Sequence, residues 1–249
     1  MLTIQYLYPT KRAPLSNPAP LYSSFVEPSI VRNGIAIGAI VNALLVCIGI
    51  LIHPASTSGT SGLLSVVGPA LILTAYSVIG QRAGPATSPA IRIGAVFGLA
   101  AGIVFGFEIL LEYLILPDAS MNTRLGWIEF GTAFLLFALA AFWTAYSIGE
   151  VRAGVRAAFW SSIVASTIWL TVLLLVTYAF WGTVRQEQVF RAEGDYEDFV
   201  RSGMHDFRAF MLQDLRGASF FHLLLAPPLA MLLGLASSAI GKALYKRPR

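Results

Sequence analysis

The chain has 249 residues, 56% of them hydrophobic and only 12% charged, with a formal net charge of +4 and a mean hydropathy of +0.70. Soluble domains carry about 25% charged residues, so this composition excludes an ordinary soluble protein. The 17 basic residues are scattered between apolar runs and form no stripe of the kind that reads nucleic acid, which is excluded as a partner.

Met1 to Pro28 holds Pro9, Pro14, Pro18, Pro20 and Pro28 together with Lys11 and Arg12. Proline at that density resists helix, and residues 1–28 read as a cytoplasmic tail. The basic n-region, apolar h-region and cleavage site of a secretory signal are missing, so the first span is expected to stay in the chain. Residues 29–249 read as a single membrane domain of six apolar segments: Gly34 to Ile52, Leu63 to Gly80, Ile91 to Leu116, Trp127 to Ile148, Ala157 to Trp181 and Phe220 to Leu244. Each has about the length a spanning helix needs. The predicted fold is therefore an all-α integral membrane protein, a six-transmembrane-helix bundle. Cys47, the only cysteine, lies in the first segment and reads as a small packing residue, since no intrachain disulfide can form.

The third segment organises this reading. Gly94, Gly98, Gly102 and Gly106 recur at four-residue spacing, which leaves a groove where another helix can approach closely in lipid. Glu108 and Glu112 follow on the same helix. The second segment is interrupted by Gly68-Pro69, and the sixth by Pro227-Pro228, which remove two backbone donors and predict a kink or break. Thr57 to Gly62 reads as a flexible loop from its Gly, Ser and Thr content.

Lys and Arg set the expected orientation. The tail and the second, fourth and final connections hold eleven of them, against six in the first, third and fifth; the positive-inside rule then puts both termini in the cytoplasm of a cell (plasma or inner) membrane. Trp127 and Trp143, Trp160 and Trp181, and Phe220 with Tyr245 read as interfacial anchors of the last three spans.

Between the fifth and sixth spans, residues 182–219 carry twelve of the chain's charged groups. Glu187 with Arg191 and Glu197 with Arg201 are acid-before-base pairs at helical spacing. Gly194 followed by Asp195 reads as a helix stop and a new N-cap, with Asp198 in the capping box. An extracytoplasmic amphipathic hairpin of two helices is predicted, the second running from Asp195 with Tyr196, Phe199, Val200, Phe207, Phe210, Met211 and Leu215 on one face and a bend at Ser202-Gly203.

Ionisable groups at membrane depth cost about 2.5–3.5 kcal/mol each at a helix centre and need a reason. Glu108 is the deepest, with Glu112 one turn away; Glu129 and His222 start the fourth and sixth spans at a similar height. Asp118 and the histidines His53 and His205 fall at the same end. The candidate proton or cation site is thus Glu108, Glu112, Glu129 and His222. No H-E-x-x-H, CxxC, phosphate loop, nucleophile elbow or dinucleotide fingerprint occurs, so the sequence designates no catalytic, cofactor-binding or metal-ligating residue. Three functional classes follow. The first is a non-enzymatic membrane component, packing through the glycine helix and hairpin against a second copy or a membrane-protein partner. The second is a transporter of a small solute or ion using the carboxylates and His222, and the third an outer-leaflet enzyme, metal-assisted.

Overall fold

The computed structural model describes residues 27–84, 88–115 and 119–245, and every regular element among them is helical. The proline-rich tail up to residue 26, Asp118 and the basic residues after Tyr245 lie outside the described residues. Eight α-helices run α1 Pro28–Ile52, α2 Gly59–Arg82, α3 Ser88–Ile115, α4 Ala119–Ile148, α5 Val151–Ala179, α6 Val184–Glu193, α7 Asp195–Ser202 and α8 Phe207–Ala243. Six of them, α1 to α5 and α8, are long and apolar enough to cross a membrane, and the chain is a multi-pass membrane protein.

The helices outrun the apolar segments. α5, for example, begins at Val151 and carries the exposed Arg152 and Arg156 in its first turns. Hydropathy locates what lies in hydrocarbon, whereas a helix stops only where its backbone is broken, here at Gly149 with its left-handed φ of 79°. The largest difference is α8. Gly203 (φ 70°) ends α7, and the Asp206 carboxylate accepts from the backbone N–H groups of Arg208 and Ala209 at 3.0 and 3.1 Å. Phe207 to Ser219 therefore belong to the same helix as the last apolar segment, and the long amphipathic helix expected from Asp195 to Leu215 does not exist. Asp195 is also the first residue of α7, with Gly194 (φ 88°) as its N-cap. Thr57 to Gly62 is not an open loop: Pro54–Thr57 is a 3-10 turn and α2 has begun by Gly59. A Cβ on Gly62 would lie 2.5 Å from the Thr57 carbonyl carbon.

The bundle centres on α5, which packs against α1, α3, α4 and α8. Its contact with α3 follows from the glycines. A Cβ at Gly94 would lie 2.6 Å from the Ala157 carbonyl oxygen, one at Gly98 2.5 Å from that of Ser161, one at Gly102 2.8 Å from Ile168 Cβ and one at Gly106 3.2 Å from Val172. All four glycines thus face α5 of the same chain. Trp160 is part of this packing at 3% exposure and is a core residue, not an interfacial anchor. Cys47 is exposed on α1 instead of packed inside.

Polar bonds tie the outer helices to the centre. Asn42 of α1 donates to the Thr167 carbonyl at 3.1 Å and receives the Thr171 hydroxyl at 3.2 Å, and the Tyr178 hydroxyl donates to the Leu45 carbonyl at 2.9 Å. α8 stays helical through Pro227 and Pro228. Pro227 has no N–H for the carbonyl four residues earlier, and the Tyr76 hydroxyl of α2 donates to that carbonyl, Leu223 O, in its place. The freed acceptor is satisfied from a neighbouring helix, as the dry surroundings demand.

Candidate functional site

One end of the bundle gathers the histidines and most of the described carboxyls. The 3-10 turn, α6, α7 and the start of α8 meet there: His53 Nε2 lies 3.5 Å from Asp206 Oδ1, Arg185 donates to the Leu114 carbonyl at 2.8 Å and Arg216 to the Ser56 carbonyl at 2.7 Å.

α3 and α4 bring three carboxyls together at this end. Glu108 and Glu112 stand one turn apart on α3. Glu129, only 6% exposed, approaches Glu108 from α4, and Glu112 also stands beside Glu108. A hydrogen bond between two carboxyl groups needs a proton between them, because two carboxylates offer only acceptors. Among the described residues neither Glu108 nor Glu129 has a basic side chain within ion-pair distance. Two carboxyls placed close together away from water form an arrangement in which one proton can be shared.

His222 has other neighbours. Its Nδ1 lies 3.0 Å from the Ala218 carbonyl oxygen, and its ring stacks on Trp169 at 4.5 Å and Phe130 at 6.1 Å between centroids. It lines a cavity of about 190 Å³ with Phe105, Phe134, Phe137 and Ser166. The two groups adjoin through the helices: Phe105 is three residues before Glu108, Phe130 follows Glu129, and the two phenyl rings are 5.9 Å apart. Of the other histidines, His53 stands edge-on to Trp181 at 6.1 Å and His205 is exposed. No three His, Cys, Asp or Glu side chains converge with metal-binding geometry among the described residues.

The hairpin covers its own chain. Phe190 of α6 and Phe210 and Met211 of α8 are buried together, with Tyr196, Phe199 and Phe207 against them. Glu187 pairs with Arg191 at 2.9 Å and accepts from the Tyr196 hydroxyl at 3.1 Å; these two bonds hold its carboxyl below the usual range. Arg201 pairs with Asp198 and not, as its spacing predicted, with Glu197. Asp195, the first residue of α7, has Oδ2 buried with no hydrogen-bond partner among the described residues. Burial, and then the negative charges of Glu193, Asp214, Asp198 and Glu197, push its carboxyl up to about 7.

Sequence reasoning missed Arg216. It is 2% exposed, and its Nε and Nη1 have no hydrogen-bond partner among the described residues. Counting it as a loop charge hid its place inside α8; the Asp206 cap, ten residues earlier, was the available signal. Trp169 and Phe130 were missed because an aromatic inside an apolar run has no local mark of its neighbours.

The sequence matches no family model, and no similar curated protein or solved structure was found.

Proposed function

We propose that the protein is a proton-linked membrane transporter of a small solute or ion, with the Glu108–Glu129 pair as the proton-carrying group and Glu112 beside it. The observation that carries this reading is the close approach of two carboxyls from neighbouring apolar helices, with no cation described against either. Such a pair can give up or take one proton as its surroundings change, and intramembrane carboxyls of this kind mark ion and proton pathways. Less surface is left for the assembly reading, since the glycine face is filled by α5 and Tyr196, Phe199, Phe207, Phe210 and Met211 of the apolar stripe pack within the chain. Eleven of 17 Lys and Arg residues in the tail and even-numbered connections support cytoplasmic termini, with the carboxyl pair toward the outer face.

Proteoliposomes loaded with a pH-sensitive dye test this. An imposed pH gradient is challenged in turn with sodium, potassium, amino acids and sugars. One of these probes is expected to dissipate the gradient in the wild type, with a loss of about tenfold or more in Glu108→Gln and in Glu129→Gln. No response to any probe, or a response equal in both variants, contradicts the reading.

A further inference from the structure

We infer that the cavity lined by His222 is a binding site for a lipid-soluble phenol or hydroquinone, a single hydroxylated ring on an apolar tail that enters from the bilayer between α4 and α8. The inference goes beyond proton linkage and does not depend on it. Four observations carry it. The space, about 190 Å³, is slightly larger than an engineered apolar cavity of about 150 Å³ that takes up benzene. Its walls are largely flat: Phe105, Phe130, Phe134, Phe137 and Trp169 offer faces and edges on which a ring packs at favourable offset angles. On the flank between α4 and α8 its lining residues Phe221, Leu225 and Leu229 are 59%, 50% and 43% exposed, so it opens sideways toward lipid, where an apolar tail can remain. Among the lining side chains the polar groups are few: the His222 ring nitrogens, the Ser166 hydroxyl and the Trp169 indole N–H.

The chemistry of His222 selects the hydroxyl. A carbonyl oxygen only accepts, so the 3.0 Å contact with Ala218 O places a proton on Nδ1, and in the imidazole form with that one proton Nε2 is an acceptor. No protein donor to Nε2 is described. Stacking on Trp169 at 4.5 Å fixes the ring plane. A hydroxyl on the guest ring supplies the donor that this nitrogen lacks, whereas a hydrocarbon chain fills the space and leaves the nitrogen unbonded.

A matched pair of probes tests this on the full chain in phosphatidylcholine nanodiscs: tritiated 4-nonylphenol and tritiated nonylbenzene, which differ by the hydroxyl alone. Saturable binding of nonylphenol at one per protein is expected, about tenfold tighter than nonylbenzene, the worth of one hydrogen bond in a dry site. In His222→Phe, which keeps a stacking ring and removes the acceptor, the two affinities should become equal. Equal affinities in the wild type mean that the cavity is an acyl-chain space and overturn the proposal; a hydroxyl preference that survives in His222→Phe overturns the role of His222. The wild-type comparison stands even if that variant fails to fold. Failure here leaves the flux of Glu108→Gln untouched, so the two readings fail separately.

Discussion

At the scale of single residues, the interior of this bundle is governed by unmet hydrogen-bonding capacity. Pro227 shows the rule most directly, because its missing N–H frees Leu223 O and Tyr76 of another helix supplies the replacement donor. Tyr76→Phe should cost about 1 kcal/mol, the net worth of a typical intramolecular hydrogen bond, measured by unfolding in mixed micelles. In a Pro227→Ala background the cost should shrink, because residue 227 then has its own N–H for that carbonyl; an undiminished cost would show that Tyr76 acts through packing alone. The glycines differ among themselves for an equally local reason. Gly98→Ala pushes a methyl group against the Ser161 backbone 2.5 Å away, whereas Gly106→Ala meets a Val172 methyl at 3.2 Å, which a rotation relieves. Gly98→Ala should therefore destabilise by about 1–3 kcal/mol, and Gly106→Ala by much less, in the same unfolding assay.

At the scale of elements, the α6–α7 hairpin is open to pH. Asp195 ionises near 7 in the folded protein against a usual value of 3.8, so the native state binds its proton more tightly than the unfolded one. Its contribution to holding the hairpin down is complete below about 3.8 and is lost as pH rises through about 7. After correction for the intrinsic pH dependence of exchange, amide hydrogen exchange in α7 should accelerate between pH 5 and 8, and Asp195→Asn should flatten that dependence. Exchange equally pH-dependent in the variant would assign the effect to Glu193, Glu197, Asp198 or Asp214 instead.

The elements were legible in the sequence to different degrees. All six spans follow from apolar run length, and the meeting of Glu108, Glu112 and Glu129 at one end follows from their heights along antiparallel neighbours. The start of α8 was not legible, because the charges of Arg208, Asp214 and Arg216 resemble a loop composition while the Asp206 cap and the buried Phe210 and Met211 keep the helix going. The glycine spacing of α3 announced a close helix contact but not its partner. Four-residue spacing fixes a face, and only the tertiary fold decides that α5 fills it. His222 was grouped with the carboxyls by height alone; rotation about the α8 axis, which height does not report, turns it to Trp169 and Phe130.

At the scale of the whole molecule, α5 is the mast to which α1, α3, α4 and α8 are tied, with α2 held through α1 and α8, and the carboxyl pair sits where α3 and α4 lean together beside it. The glycine face and most of the hairpin's apolar stripe are used within the chain, and the carboxyl pair stands in an apolar setting. The account stands on the shared proton of Glu108 and Glu129. Infrared spectroscopy of the protein in nanodiscs at neutral pH tests it, in an Asp195→Asn background so that the hairpin carboxyl does not contribute. A protonated-carboxyl stretch is predicted, lost in Glu108→Gln and equally in Glu129→Gln, because an amide N–H then supplies the donor and no proton is needed between the two groups. No such band, or a band that survives both substitutions, would contradict the account.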